Sequence, residues 1–226
     1  MRYVIMANGK GTRWGLHGGI PKHLIECEGE PLIARTARLV READPSAEVI
    51  LSSGNAAYDA CGIARHTPAH GELEWDRFCR ELVECPVCFL YGDVYYTPQA
   101  MRAIVEADGD PYCFLGSESS IYAAKLGDWS RAARVLDEHR ARIEAGELPD
   151  GKGWQLYHAL AGMELPGRAR GTRYHLVADA TRDFNTPADL EAFRADTEAQ
   201  DAQAHRDIPD TDLPSGTQDD KETPCG

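Results

Sequence analysis

At 226 residues, 42% apolar and 27% charged, the chain has the make-up of a single globular domain able to bury a sizeable core. Its 37 acidic and 24 basic residues give a formal net charge of -13, which excludes a general affinity for nucleic acid or an anionic membrane but leaves room for a local basic pocket. No apolar run approaches a membrane span, the first residues lack the order of a signal peptide, and seven scattered cysteines fit a reduced, cytoplasmic setting better than a disulfide framework.

Tyr3–Ala7 reads as a short apolar strand that breaks into Asn8-Gly9-Lys10-Gly11-Thr12-Arg13-Trp14-Gly15, with Pro21-Lys22 following. Glycines let backbone N–H groups turn toward a bound anion, and Lys10, Arg13 and Lys22 add positive charge. The loop therefore suggests a cradle for a nucleoside triphosphate; a tight strand-to-helix connection is the alternative. It is not a Walker loop, since no Gly-Lys-Ser/Thr ends it, and its third glycine is displaced from the dinucleotide pattern.

Pro31–Ala43 has helical spacing, with Leu32, Ile33, Ala37, Leu39 and Val40 available for one face. Val49–Leu51 is a second strand. Glu72–Val83 is amphipathic and predicted helical, and Val87–Tyr91 is a strand ending abruptly at Gly92-Asp93. Pro98–Ala107 is predicted helical, Tyr112–Leu115 and Ile121–Leu126 strands, Trp129–Ala145 and Trp154–Ala161 helices. His175–Ala178 would be the last strand and Thr186–Ala195 the last helix, capped by Thr186.

From Asp196 to Gly226 there are nine acids, two bases and no aromatic residue, so 196–226 reads as a disordered acidic tail after a domain spanning 1–195. Strands alternating with helices predict a three-layer α/β/α sandwich with a mostly parallel central sheet. Ligands of such sheets bind beyond the carboxyl ends of the strands. The Asn8–Gly15 loop, Gly92-Asp93 and the segment after His175 all fall at such ends, and are expected to converge on one rim.

Ala7-Asn8-Gly9-Lys10-Gly11-Thr12-Arg13, then Pro21-Lys22 and Gly29-Glu30-Pro31-Leu32, resembles the opening of the sugar-phosphate nucleotidyltransferase family, on the GT-A-like, Rossmann-like nucleotidyltransferase fold. Leu90-Tyr91-Gly92-Asp93-Val94 resembles that family's strand-Gly-Asp motif, and Asp183-Phe184-Asn185-Thr186-Pro187-Ala188-Asp189-Leu190 its closing motif. The three come in the family's order and span roughly residues 1 to 195. The resemblance implies that Ala7, Asn8, Gly9, Gly11 and Thr12 wrap the triphosphate. Arg13 and Lys22 would be the catalytic cations. Asp93, with Asp183 or Asn185, would bind Mg²⁺, which prefers hard oxygen donors and commonly takes one or two carboxylates beside phosphate oxygens. Turn formation is the alternative for all three, and Asp189 is expected to serve the helix N-terminus.

The implied reaction is attack of an acceptor phosphate oxygen on the α-phosphorus of the nucleotide, with pyrophosphate leaving and no general base required. Its partners would be an NTP and a sugar phosphate or other small phosphorylated alcohol, with neither nucleic acid nor membrane; oligomeric state is left open. Glu118, Lys125, Lys152, Trp154 and Tyr157 lie in the half where this family builds its acceptor pocket. Of these, Lys152 and Trp154 are the candidate substrate-binding residues, offering a cation and a flat ring, with a surface turn as the alternative.

Two departures stand out. Asn8 occupies a position usually held by alanine or glycine, and His66–Glu72 lacks the Gln and Gly-Thr pair that reads base and ribose, so the nucleobase stays open. Cys85-Pro86-Val87-Cys88 has no second ligand pair and reads as neither zinc site nor redox motif. Three other functions compete with this one. A glycosyltransferase usually carries Asp-x-Asp where Asp93-Val94-Tyr95 has one carboxylate, and a molybdopterin nucleotidyltransferase usually has a double glycine before its loop. A non-catalytic nucleotide-binding regulatory domain would not need Arg13, Lys22 and both metal candidates.

Overall fold

The computed structural model describes residues 1–206 except Lys10, Leu16, Glu72, Glu84, Cys85, 149–150 and 164–168. The expectations for Lys10, Cys85 and the end of the tail, 207–226, fall outside the described residues.

Strand β1 (Arg2–Met6) is central because both of its faces are apolar. Tyr3 and Ile5 enter one buried cluster, while Val4 and Met6 enter another. It pairs in parallel with β4 (Glu48–Ser52) on one side and β6 (Val87–Tyr91) on the other, with Ile5 opposite Leu51 and Leu90. The other sheet strands are β5 (Ala64–His66), β8 (Tyr112–Gly116), β9 (Ile121–Leu126) and β10 (Tyr174–Leu176). The order among the described residues is β10-β8-β9-β6-β1-β4-β5, and there β9 alone runs antiparallel to its neighbours. Two short pairs complete the described strands: β2 (Glu26–Cys27) with β3 (Glu30–Pro31), and β7 (Val94–Tyr95) with β11 (Arg182–Asp183).

Helices cover both faces, as the sandwich requires. α1 (Leu32–Ala43) and α2 (Pro98–Glu106) bring Ile33, Val40, Met101 and Ile104 to the Tyr3–Ile5 side. α3 (Trp129–Glu144) and α4 (Gly153–Ala161) bring Ala132, Leu156 and Leu160 to the Val4–Met6 side. Truncating Ile5, which is fully buried, would cost about 2–5 kcal/mol.

Two predicted elements differ. Glu72–Val83 forms no α-helix but two single turns, Glu74–Arg77 and Arg80–Leu82. Its buried Trp75, Phe78, Cys79 and Leu82 do have helical spacing. The Asp76 carboxylate accepts the Leu73 N–H at 2.8 Å and caps the first turn, and Phe78, at φ -78° and ψ 69°, leaves helical geometry and ends it. The last helix, α5, spans Pro187–Arg206 and so continues well past Ala195 into the stretch expected to be disordered. Its Ala, Glu and Gln content explains the extension.

The chain divides into two units, Met1–Asp189 and Leu190–Gly226, and every residue of the candidate site lies in the first. Among the described residues no helix is long and apolar enough to cross a membrane.

Candidate active site

The loop after β1 is fastened from below. The Ala7 N–H donates to the Ser52 carbonyl at 2.9 Å, and Ser53 Oγ donates to the Ala7 carbonyl at 3.0 Å. Ala7 is therefore a buried core residue beneath the loop and, contrary to expectation, is not among the residues lining the cleft. Asn8 acts as a clamp. Its amide donates to Ser52 Oγ and its carbonyl accepts the Gly54 N–H, both at 3.0 Å, tying the loop to the end of β4. Gly11 adopts a left-handed φ of 58°, and its carbonyl accepts the N–H groups of Trp14 and Gly15. Trp14 is buried and anchors its indole N–H on the Ile20 carbonyl at 2.9 Å, which leaves Thr12 and Arg13 exposed.

Lys22 sits in a short turn, Lys22–Leu24, and is only 9% exposed. Its ammonium forms an ion pair with the Asp93 carboxylate. Asp93 reaches it because the Gly92 N–H donates to the Met6 carbonyl at 3.0 Å, drawing the end of β6 against that of β1. A Cβ on Gly92 would lie 2.7 Å from that oxygen, so this close approach requires glycine. Burial alone would raise the Asp93 carboxyl, but Lys22, His23 and Arg77 outweigh it and hold the group below its ordinary range. His23, buried against Tyr58 at 2.9 Å, is pushed down by burial to about 4 and is neutral near pH 7.

β7 and β11 bring in the closing motif. Asp183 pairs with Val94, and the Phe184 N–H donates to the Asp93 carbonyl at 2.8 Å, so two carboxylates far apart in sequence become neighbours. The Asp183 carboxylate accepts Ser120 Oγ at 3.1 Å and the Asn185 amide. The Asn185 carbonyl oxygen accepts Arg13 Nη2 at 2.7 Å. Asp189, as expected, serves the chain ahead of α5, accepting the N–H groups of Asn185 and Thr186 at 2.8 and 2.7 Å.

On the other wall, Gly151–Trp154 leads into α4. Trp75 donates its indole N–H to the Lys152 carbonyl at 3.1 Å, and Glu74 accepts the Gly153 N–H at 3.3 Å. Trp154 stacks on Tyr174 with ring centroids 5.3 Å apart. Three other acceptor candidates have structural roles. Lys125 donates from β9 to the carbonyls of Ile104, Val105 and Ala107, capping α2. Tyr157 is buried and bonds Gly171 and Thr172, and Glu118 pairs with Arg170 at 3.4 Å on the surface.

The result is one cleft of about 700 Å³ at the strand ends. Asn8, Gly9, Gly11, Thr12, Arg13 and Lys22 line it together with Asp93, Asp183, Asn185, Lys152 and Trp154. It also contains Glu74, Arg77, Tyr91, Ser119 and Ser120, which sequence reasoning missed. Glu74 and Arg77 gave no signal, because a charged residue in an amphipathic segment reads as solvent-facing.

The site's metal candidates offer only oxygen donors from two carboxylates and one amide, and among the described residues no cluster of three or more His, Cys, Asp or Glu could hold a metal. That donor set fits a hard ion that completes its shell with phosphate and water, and does not fit zinc.

Comparison with known proteins identifies the family and the fold. A family model described as "MobA-like NTP transferase domain" matches residues 3–141. No curated protein matches the chain significantly. Among solved structures, one from Bacillus anthracis, provisionally assigned as a glucose-1-phosphate thymidylyltransferase, superimposes with a TM-score of 0.61 at 15% identity, covering 92% of this chain and 96% of the other. CTP:phosphocholine cytidylyltransferase from Streptococcus pneumoniae gives 0.56 at 12% identity, covering 87% and 98%. The inositol-1-phosphate CTP transferase of T. maritima gives 0.50 at 14%, covering 88% and 96%. At these identities the likenesses establish the fold.

Proposed function

The chain belongs to the MobA-like NTP transferase domain family and is a nucleotidyltransferase; on that premise we propose that it transfers a nucleoside monophosphate to a sugar phosphate or another small phosphorylated alcohol. An acceptor phosphate oxygen forms the new bond to the α-phosphorus while the bond from that phosphorus to the bridging oxygen breaks, and pyrophosphate leaves with the electron pair. The acceptor is already anionic at neutral pH, so no side chain need remove a proton.

The carrying observation is the convergence of Lys22–Asp93 and Arg13–Asn185–Asp183 on one cleft. The backbone from Asn8 to Thr12 would hold the triphosphate. Lys22, held in place by Asp93, and Arg13, held by Asn185, would offset charge on the reacting phosphate and leaving group. Asp93, with Asp183 or Asn185, would hold Mg²⁺, and Asn185 also links Arg13 to the Asp183 carboxylate. The ion would supply charge neutralisation on the phosphates. Lys152 and Trp154 would receive the acceptor. They lie beyond the residues matched by the family model, so this part of the reading rests on the chain's own cleft. The seven cysteines are scattered through the chain rather than set in a disulfide framework, which supports a reduced, cytoplasmic setting.

The test is pyrophosphate release with Mg²⁺ from ATP, CTP, GTP and UTP, each against a panel of phosphorylated acceptors. Release with one pair, lost in Lys22→Ala and Asp93→Ala, is expected. Binding of nucleotide with no release from any pair would replace this reading with a non-catalytic nucleotide-binding domain.

A further inference from the structure

Arg77 lies in the turn Glu74–Arg77, outside all three motifs that define the nucleotide site. Its guanidinium nonetheless lines the cleft, and a Cβ built on Gly9 would sit 3.5 Å from its Nη2. The arginine thus covers the face of the phosphate loop that Gly9 leaves bare.

The turn carrying Arg77 is held on several sides. The Asp76 carboxylate accepts the Leu73 N–H at 2.8 Å and forms an ion pair with Arg140. The Trp75 ring lies under Gly151, where a Cβ would come within 2.4 Å of it. The backbone is fixed, yet the guanidinium itself makes no hydrogen bond or ion pair with any described residue. Its cleft neighbours Lys22 and Arg13 both have partners, and elsewhere Arg35, Arg65 and Arg140 each pair with a carboxylate.

Arg77 acts on Asp93 only through space, and Lys22 already pairs with that carboxylate, so a bound anion would give this half-buried guanidinium the hydrogen-bonded partner it lacks among the described residues. A planar guanidinium can give two parallel hydrogen bonds to phosphate oxygens, which makes phosphate the best-matched anion. We propose that Arg77 is a further catalytic residue, a cation that engages the phosphates of the bound nucleotide from the 74–77 turn. The proposal rests on the nucleotide site described above and adds to it a contact from a different part of the fold.

The experiment titrates wild type, Arg77→Lys, Arg77→Ala and Arg77→Gln with tripolyphosphate and with the four NTPs, at several salt concentrations, alongside thermal melts. Arg77→Ala and Arg77→Gln should bind both probes at least tenfold more weakly, with a shallower dependence on salt. Arg77→Lys should recover part of the loss, and melting temperatures should stay close to wild type. Equal binding by wild type and Arg77→Ala would overturn the proposal. So would equal weakening in all three variants together with lowered melting, because that pattern marks a structural role. Arg77-dependent tripolyphosphate binding by a wild-type chain that releases no pyrophosphate would support Arg77 as a phosphate ligand and overturn only the reading of the reaction.

Discussion

Arg13 donates from Nη2 to the Asn185 carbonyl oxygen at 2.7 Å, although 172 positions separate the two residues. The same Asn185 turns its amide to Asp183, so one neutral side chain links the loop after β1 to a candidate metal carboxylate. This link fixes the orientation of Arg13, which is otherwise a long, exposed side chain with much rotamer freedom.

Asn185→Ala should therefore behave mainly as a loss of Arg13 positioning. The expected effect is a fall of roughly ten- to a hundredfold in kcat/KM for the nucleotide, about 1.4–2.7 kcal/mol of transition-state stabilisation. In an Arg13→Ala background the Asn185 substitution should cost much less than it does alone. Steady-state kinetics of the double-mutant cycle would check this, and full additivity would contradict it.

Gly92→Ala should cost about 1–3 kcal/mol of stability, because the new methyl would meet the Met6 carbonyl rather than a side chain that can move aside. It should also displace Asp93 and with it Lys22, so turnover should fall further than stability explains. Gly62→Ala is the control. Nothing lies within 4 Å of a Cβ there, but its left-handed φ of 66° makes it a backbone-strain variant away from the cleft, expected to lose stability and keep kcat. Urea melts and kcat for both variants distinguish the two effects.

Asn8→Ala removes both bonds that tie the loop after β1 to the end of β4. Each is worth about 0.5–1.5 kcal/mol net, so a loss of about 1–3 kcal/mol is expected in denaturant unfolding. Nucleotide KM should rise because the loop is less well held. If Asn8 instead selects the base, the ratio of kcat/KM among the four NTPs would change, and comparing that ratio with overall stability separates the two roles.

His23 predicts a pH effect on folding. Its pKa is lowered from 6.5 to about 4 by burial, so between those values the unfolded chain binds more protons than the folded one. Stability should fall as pH drops from about 6.5 toward 4, by about 3 kcal/mol from this group, and be insensitive to it above that window. Urea unfolding across pH in the absence of divalent cations would show the slope, and His23→Gln should flatten it. An unchanged slope in the variant would assign the acid sensitivity to other groups.

Part of the site is legible along the chain. The β1 loop, Gly92-Asp93 and the 183–190 segment each announce themselves by local order: an apolar run interrupted by glycine, or an Asx-rich approach to a helix. Lys125 shows the opposite case. It lies in the half where the resemblance places the acceptor pocket, but its ammonium caps the carbonyls at the end of α2. Glu72–Val83 misleads for a related reason, since two short turns separated by a non-helical Phe78 bury the same apolar residues that one helix would.

By itself the sequence determined the layered α/β class, the central strand and most of the residues that line the cleft. Those follow from period-two apolar runs, glycine-permitted turns and fixed charges, all of which act over a few neighbouring residues. Only the tertiary structure decided that Asn185 orients Arg13 and Asp183, that Asn8 is a clamp, that Ala7 lies beneath the cleft and that Arg77 lies beside it. Those outcomes depend on which groups meet across long chain separations, where the free energy is set by the partner in space rather than by the side chain alone.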